Sequence, residues 1–245
     1  MIGEAAAERV ATMVAALVAA CLQRPPGEVF ILIADRSVPG APWSAALGMV
    51  GHRAREAGYD VDLADDDEGV ARIIDRAVEE LDRRRGETEG GGAAAATWMV
   101  VVSEPDRVSA MARRPDAYGF VDAPLGEQLG RLLDEGGELG IHVVAAFATV
   151  GAARVVMADR RLRGGFRHRV AMQMSDDDSF IVVNSPAAAR LQPDGPLPVA
   201  AVLFDRQADR GRGFKPYSLT AAGTFAAQVE HIFDRLVRRR RERVL

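Results

Sequence analysis

Short, continuous apolar runs alternate with amphipathic stretches along most of the 245 residues. The central apolar run, Trp98–Val102, leads directly into Ser103 and Glu104. A run of this kind is typical of a strand that is buried on both faces, as in a parallel sheet covered by helices. Because ligands bind at the carboxyl ends of such strands, the pattern marks Ser103 and Glu104 as a candidate site.

The same reading predicts the other elements. Apolar runs and alternation predict strands at 28–34, 59–64, 98–102 and 141–147, an edge-like strand at 167–174, and a closing hairpin of 199–204 and 213–219. Helical spacing predicts helices at 4–22, 43–57, 68–85, 121–139 and 225–236, with a short helix starting at Ser175. The alternation of strands and helices predicts an α/β fold with a mostly parallel sheet.

Composition narrows the class of protein. Hydrophobic residues make up 48% of the chain and the net charge is −4, so the overall charge does not favour nucleic acid or an anionic membrane. We see no uninterrupted apolar run near the roughly 18 residues of a membrane span. The N-terminus also lacks the basic start of a signal peptide, so we expect a cytoplasmic protein without a membrane span. A single cysteine and four scattered histidines predict no metal site.

Two charged segments have alternative interpretations. The run Asp65–Asp67 either starts a helix, where the helix dipole favours carboxylates, or binds a metal, and we favour the helix start. The basic segment 159–169 is either a solvated loop or a surface that binds DNA phosphates or a partner's carboxylates. Its candidate binding residues are Arg160, Arg161, Arg163, Arg167 and Arg169.

Several motifs occur in a characteristic order. A Gly-Ile-His strand starts at Gly140, a later strand carries Arg169-Val170-Ala171, and an acidic helix start and a small-residue segment follow at 175–179 and 185–191. This order resembles the motor domain of the FtsK/SpoIIIE family, P-loop ATPases of DNA translocation whose relatives drive type VII secretion. The resemblance implies a RecA-like P-loop NTPase fold with helices on both faces of the sheet. It divides the chain into a degenerate domain at 1–219 and a C-terminal amphipathic helix with a basic tail at 220–245.

The resemblance also implies a phosphate-binding loop with a lysine and a Ser or Thr. In the alignment that we prefer, 28–35 is the second strand of the fold, the central P-loop strand is missing, and the loop falls on Gly3, Glu4, Ala5, Ala6 and Ala7. In the other alignment, 28–35 is the first strand and the loop carries Asp35, Gly40, Ala41 and Pro42. Neither loop has the lysine, since the only lysine in the sequence is Lys215.

Other functional positions of the family are altered as well. Ser103 stands where the family has its magnesium-binding aspartate, which leaves Glu104 and Asp35 as vestigial site residues. The polar Thr-Gln sensor falls on Phe147-Ala148, and an arginine falls near Gly137-Glu138. Because phosphoryl transfer depends on positioning and charge stabilisation, these changes predict a degenerate site with no catalytic residue and no cofactor.

The resulting expectation is a pseudo-ATPase that acts as a scaffold or regulatory partner. It would assemble as a homo-oligomer or with a related, intact FtsK/SpoIIIE-type ATPase. The alternatives are a weak ATPase with a noncanonical site, which would bind ATP and magnesium, and a DNA-binding module that uses the arginines of 160–169. We further expect helix 225–236 to cover the gap of the missing strand, and we favour packing against another chain over packing on its own domain.

Overall fold

The computed structural model describes residues 1–244 except 4, 42, 89–95, 113, 117–118, 122, 193–199, 218 and 220–223. Its strands are β1 (Val29–Asp35), β2 (Asp60–Ala64), β3 (Thr97–Ser103), β4 (Arg114–Asp116), β5 (Gly119–Val121), β6 (Ile141–Ala146), β7 (His168–Met172), β8 (Ala201–Asp205) and β9 (Arg210–Phe214). A parallel sheet has the order β2-β1-β3-β6, and an antiparallel sheet has the order β7-β8-β9. β4 and β5 form a separate hairpin.

The helices lie on both faces of the parallel sheet. They are α1 (Ala6–Gln23), α2 (Ala46–Glu56), α3 (Asp67–Thr88), α4 (Pro124–Glu135), α5 (Val150–Val156), α6 (Asp159–Gly164), α7 (Asp176–Val183) and α8 (Thr224–Val244). One core joins α1, α2 and α8 to the sheet. The other core joins the sheet to the remaining helices. The predicted α/β RecA-like fold is therefore confirmed.

Burial on both faces explains why the sequences of the central strands are continuously apolar. Ile31 and Ile33 of β1 belong to the core on the α1 side, whereas Leu32 and Ala34 belong to the core on the α3 side. Because successive side chains of a strand point to opposite faces, both sets are buried at once. The predicted strands 28–34, 98–102 and 141–147 are parallel neighbours in the registers of β1, β3 and β6, which confirms the predicted parallel sheet.

The first three residues connect the two sheets. Ile2 forms parallel bridges with Phe147, just after β6, and with Ala171 in β7. The Ile2 N–H donates to the Val170 carbonyl at 2.9 Å, and the Phe147 N–H donates to the Met1 carbonyl at 2.9 Å. The central strand that the sequence predicted to be missing is thus present as a short stub, Met1–Gly3. β7 is an end strand in the order β7-β8-β9, as its prediction as an edge-like strand requires, and Ile2 bridges it from the other side.

The segments between β6 and β7 also differ from the prediction. α5 and α6 were not predicted, because helices of seven and six residues are too short to show a full apolar period. The predicted helix 121–139 is α4 followed by a 3-10 turn at Gly137–Leu139. In the closing hairpin, β9 starts at Arg210, earlier than predicted, because the turn after Asp205 is tight.

The C-terminal helix packs on its own domain. Phe225, Val229 and Phe233 of α8 are buried in the core that includes α1 and α2. Arg53 of α2 anchors the outer face of α8 through ion pairs with Glu230, at 2.9 Å, and Asp234. The preferred expectation, that this helix packs against another chain, is therefore wrong for α8. Its apolar face fills a groove that α1 and α2 of the same chain leave open.

One helix of the described residues, α1, is by length and composition alone apolar enough to cross a membrane. Its mean hydropathy is 1.4, and 56% of it is buried inside the structure. Glu8, Arg9 and Thr12 interrupt the helix, so it passes by its average hydropathy and not as the uninterrupted apolar run that the sequence analysis looked for. Val10, Val14 and Leu17 pack against the sheet, which is how the core helix of a folded domain is buried.

The buried N-terminus predicts a pH dependence of stability. Burial, with a smaller effect of Arg9, lowers the pKa of the Met1 amino group from 8.0 to about 5. Its folded pKa lies below its unfolded pKa, so the unfolded chain binds the extra proton between pH 8 and 5. We expect the free energy of unfolding to fall by up to about 1.4 kcal/mol per pH unit as the pH drops through this window. Urea denaturation from pH 8.5 to 5 measures it.

The N-acetylated chain is the matched control for this pH dependence. It has the same histidines and carboxylates but no titrating amine, so subtracting its profile isolates the Met1 contribution. Identical slopes for the acetylated and the free chain would show that the Met1 amine does not couple to folding.

Candidate functional site

Glu104 lies at the carboxyl edge of the parallel sheet, directly after β3. Its backbone is in the left-handed region, with φ of 49°, and its N–H donates to the Ala146 carbonyl at the end of β6 at 2.9 Å. A left-handed conformation is uncommon for a residue with a side chain, so local contacts must hold it. The residue is 7% exposed. The turn therefore buries the Glu104 carboxylate at the place where the sequence predicted the site.

Two serine hydroxyls lie beside Glu104, one at the end of β3 and one just after the neighbouring strand β1. Ser103 is buried, and its Oγ lies 3.1 Å from Oγ of Ser37. The Ser37 N–H donates to the Asp35 carboxylate at 3.0 Å. Burial raises the pKa of Asp35, while the hydrogen bonds from Ser37 act in the opposite direction. The predicted vestigial residues Asp35, Ser103 and Glu104 are thus brought together, and the first two are joined through Ser37.

The residue that sequence analysis missed is Arg9. This arginine lies on α1 and is 3% exposed, and its Nη2 donates to Oε1 of Glu104 at 2.9 Å. Its Nη1 donates to the Gly3 carbonyl. On the other side of the carboxylate, Arg107 Nε lies 2.5 Å from Glu104 Oε2, an ion pair without hydrogen-bond alignment. The stub, the first turns of α1 and the end of β3 therefore converge on one guanidinium.

The positive charge of this cluster that faces the core is that of Arg9. Burial lowers the pKa of Arg9, and the Glu104 carboxylate opposes that effect. An arginine remains protonated in proteins, so a positive charge faces Glu104 throughout the ordinary pH range. The sequence did contain a signal for this role. Arg9 lies four residues before Met13 and eight before Leu17, both fully buried, so helical spacing places a charge on the buried face of α1.

The residues around Gly3 do not fit ATP and magnesium. A pocket of about 340 Å³ lies beside Gly3, and Asp178 is the charged residue in its lining. A carboxylate at this position repels phosphate, whereas a phosphate site needs N–H groups and cations. In the part of the chain that the structure describes, no group of three His, Cys, Asp or Glu residues could hold a metal ion.

The two predicted loop positions follow different strands. Gly3 ends the central stub and α1 starts at Ala6, so a helix begins close to the end of the stub, as it does after the strand of a P-loop. Gly3 has φ of 141°, and a Cβ there would lie 2.5 Å from Met172 Cβ. In the other alignment, Gly40 and Ala41 lie in a loop after β1, which is not the central strand. Glu4 and Pro42 of the two predicted loops lie outside the described residues.

The other predicted positions are dispersed. Phe147 is fully buried in a core and Gly137 and Glu138 are exposed, so neither the sensor position nor the arginine position carries a polar group into the site.

The aspartate run is a helix start: Asp66 accepts a hydrogen bond from the Gly69 N–H at 2.7 Å. Hydrogen bonds from Ser109 lower the pKa of Asp67, which also pairs with Arg36 at 3.0 Å.

The arginines of the basic segment do not form one surface cluster. Arg169 is buried, and its guanidinium donates to the carbonyls of Val182, Phe166 and Arg163. Arg161 is half-buried and lies 3.2 Å from the Asp134 carboxylate. Arg160, Arg163 and Arg167 are exposed. Arg169 and Arg161 thus support the packing of α6, and the three exposed arginines remain candidates for binding.

The Arg9–Glu104 pair predicts an asymmetric response to mutation. Arg9→Met leaves a buried carboxylate without its buried cation, and we expect it to lower the free energy of unfolding by about 3–5 kcal/mol. The double variant Arg9→Met/Glu104→Gln removes both charges, so it should regain most of that loss. Urea denaturation of the four chains of this cycle provides the measurement.

Arg107→Gln is the matched control, because it removes an arginine from the same carboxylate. The Arg107 side chain is 47% exposed, so its loss should change stability by less than about 1 kcal/mol. If Arg9→Met were no more harmful than Arg107→Gln, or the double variant no more stable than Arg9→Met, the buried pair would not be the structural centre of this site.

Comparisons with known proteins agree with this geometry. No protein-family model and no curated protein matches the sequence. Among solved structures, EssC (ATPases 2 and 3) from Geobacillus thermodenitrificans matches 98% of this chain with a TM-score of 0.69 and 14% identity. Thermomonospora curvata EccC (ATPases 2 and 3), in complex with a signal sequence peptide, matches 89% with a TM-score of 0.63 and 14% identity.

A third solved structure, the monomer form of the pCW3 conjugation coupling protein TcpA with ATPγS, matches 94% of this chain with a TM-score of 0.59 and 12% identity. The chain spans 44% of the EssC structure, 63% of TcpA and 36% of EccC. At these identities the likeness concerns the fold. This chain therefore has the α/β fold of the ATPase domains in these structures.

Proposed function

We propose that this chain is a catalytically inactive FtsK/SpoIIIE-like domain, which acts as a scaffold or a regulatory or substrate-binding partner in an oligomeric translocase or secretion-type assembly. The observation that carries the proposal is the buried Arg9–Glu104 pair. In an ATPase of this fold, the glutamate at that position activates water next to a metal-bound phosphate. Here the carboxylate binds an arginine of its own chain.

Charge and packing around the pair support inactivity. Ser103, in place of a carboxylate, is held by Ser37 and offers no anionic ligand to a metal. The Arg9 guanidinium cannot replace a P-loop lysine, because its N–H groups already bind the Gly3 carbonyl and Glu104. Reopening the site would require breaking the buried Arg9–Glu104 ion pair, which would leave Glu104 paired with the half-exposed Arg107.

The solved neighbours support a role as one unit of an assembly. The EssC and EccC structures each contain ATPases 2 and 3, and this chain matches less than half of either, the share of one such domain. The EccC structure also holds a signal sequence peptide, which motivates the substrate-binding part of the proposal. We propose a homo-oligomer or a complex with a related intact ATPase, in the cytoplasm.

Nucleotide binding tests this proposal. We expect isothermal titration with ATP and magnesium to give no binding heat, and we expect no phosphate release above the buffer rate, because the lysine and the metal ligand are replaced. An intact FtsK/SpoIIIE-type ATPase domain in the same calorimeter is the positive control.

The variant Glu104→Gln distinguishes phosphate release by this chain, as a weak, noncanonical ATPase, from phosphate release by a contaminating enzyme. It keeps the size of the side chain and removes the only carboxylate at the predicted base position. A micromolar dissociation constant, or phosphate release that Glu104→Gln abolishes, would establish the ATPase alternative. Release that persists unchanged in Glu104→Gln does not come from this site.

DNA binding is the second candidate, favoured by the exposure of Arg160, Arg163 and Arg167 on and just after α6. For this candidate we expect the affinity for duplex DNA to fall steeply with salt, because cations released from phosphates drive binding. Replacing the three arginines by glutamine should reduce the slope of log K against log salt by up to about 3, roughly 1 for each phosphate contact.

The control for DNA binding has the same change of charge elsewhere. Arg238, Arg239 and Arg241 of α8 are exposed, and their replacement by glutamine should leave the slope unchanged. Equal effects of the two triple variants would indicate nonspecific attraction. No binding at about 50 mM salt would remove the candidate.

A further inference from the structure

β9 closes the antiparallel sheet as an exposed edge strand. In the order β7-β8-β9 it pairs with β8 on one side, and no other strand of the described residues pairs with it. Its residues from Arg210 to Gly213 are exposed, and Phe214 is half-buried. An edge strand presents a row of unpaired N–H and C=O groups, which is a template for pairing with another chain. The fold therefore leaves a pairing surface open at this end of the sheet.

The unpaired backbone groups of this edge belong to two glycines. The Arg206 N–H donates to the Arg167 carbonyl at 2.9 Å, so the even-numbered residues of β8 bond to β7 and its odd-numbered residues bond to β9. The odd-numbered residues of β8 lie opposite the even-numbered residues of β9, which therefore bond to β8. The alternate residues, Gly211 and Gly213, direct their N–H and C=O groups to the open side.

The fold of β9 does not by itself require glycine at these positions. The positive-φ glycines of the described residues do not include Gly211 or Gly213. A Cβ at Gly213 would meet no atom within 4 Å, and a Cβ at Gly211 would lie 3.3 Å from a methyl carbon of Val202. Glycine within a strand often marks a place where another backbone approaches closely. The two glycines thus leave this edge accessible to a second backbone.

Two arginines flank the glycines on the opposite face of the strand. Arg210 and Arg212 are exposed, and neither has an ion pair within the part of the chain that the structure describes. Asp205 lies opposite Arg210 in the register, but its carboxylate accepts from the N–H groups of Gln207 and Ala208 at 2.9 and 3.2 Å. The open edge therefore carries two uncompensated positive charges at alternate positions.

This charge pattern disfavours a second copy of the chain as the partner. The antiparallel register that pairs all of β9 with β9 of a copy is centred on Arg212, which then lies directly opposite the same arginine of the copy. Like charges directly opposite each other destabilise a sheet, whereas opposite charges stabilise it. The pattern therefore selects a strand with carboxylates at alternate positions.

We propose that the edge of β9 binds an extended acidic segment of a partner protein, which adds one strand antiparallel to β9. Its carboxylates lie opposite Arg210 and Arg212. The residues between them lie opposite Gly211 and Gly213 and exchange backbone hydrogen bonds with these glycines. The backbone bonds supply the affinity, and the two charge pairs set the register.

The face that carries the arginines also offers an apolar contact. Leu203 lies opposite Arg212 in the register and is 38% exposed. The methylene groups of a glutamate side chain can cover it while the carboxylate reaches the guanidinium, which favours glutamate over aspartate at these positions. No residue of this surface belongs to the Arg9–Glu104 cluster, so this proposal and the proposed loss of nucleotide binding fail or hold separately.

A synthetic peptide tests the surface on the full chain. Acetyl-Thr-Val-Glu-Val-Glu amide, aligned antiparallel to β9, places its glutamates opposite Arg212 and Arg210 and its valines opposite the glycines. We expect the amide signals of Gly211 and Gly213 to shift in an NMR titration with a dissociation constant on the order of 1 mM, and their hydrogen exchange to slow. Arg210→Gln/Arg212→Gln should raise the dissociation constant about fourfold, roughly twofold for each cross-strand charge pair.

Two further peptides and one variant are the matched controls. N-methylation of both valines removes the N–H groups that donate to the glycine carbonyls but keeps the charges, so this peptide should not bind. Acetyl-Thr-Val-Lys-Val-Lys amide keeps the backbone and reverses the charges, so it should not bind either. Arg239→Gln/Arg241→Gln removes two exposed arginines of α8 and should leave the dissociation constant unchanged.

Each of the opposite results contradicts the proposal. No shift at about 5 mM of the acidic peptide would show that the edge does not bind this strand. Equal binding of the N-methylated peptide would exclude strand pairing. Equal binding of the lysine peptide, or an unchanged dissociation constant in Arg210→Gln/Arg212→Gln, would exclude the charge pairs. Dimers in sedimentation equilibrium whose Gly211 and Gly213 amides are protected would identify a second copy, and not an acidic partner, as the occupant.

Discussion

The backbone hydrogen bonds of Met1–Gly3 hold together two blocks of strands that otherwise share no strand pairing in the described part of the chain. The parallel block ends with β6, the antiparallel block begins with β7, and Ile2 bridges both. Because α1 follows the stub directly, the same bonds determine where α1 begins and therefore where Arg9 lies. The carboxyl edge of the sheet, the position of α1 and the closure of the site all depend on these three residues.

The site at the carboxyl edge of the sheet is closed by an ion pair, Arg9–Glu104, and not by a large apolar side chain. A buried carboxylate without a cation is strongly unfavourable, so Glu104 at the end of β3 would destabilise the fold if no cation lay beside it. Arg9 supplies that cation from the same chain, and its hydrogen bond to the Gly3 carbonyl links the pair to the stub. Under the proposed function, this pair allows the domain to keep its fold without a bound metal or nucleotide.

The sequence predicts the centre of this fold well and its connections poorly. β1, β3 and β6 are predicted because a continuous apolar run of that length has one compatible environment, a strand covered on both faces. The stub cannot be predicted, since two paired residues carry no periodicity. The pattern of α1 shows that Arg9 is on the buried face but not that its partner is Glu104. The apolar face of α8 likewise shows that it is covered, not which surface covers it.

The burial of the Met1 amine has a consequence for chemical labelling. In a chain that begins at Met1, the amines are this terminal group and the one lysine, Lys215. Lys215 is exposed just after β9, whereas Met1 is partly buried and its amine donates to the Ala145 carbonyl. Lys215 is therefore the more accessible target of an acylating reagent, and a fluorophore or crosslinker attached through it reports from one known point. That point lies beside β9, on the antiparallel end of the sheet, far along the strand order from β2.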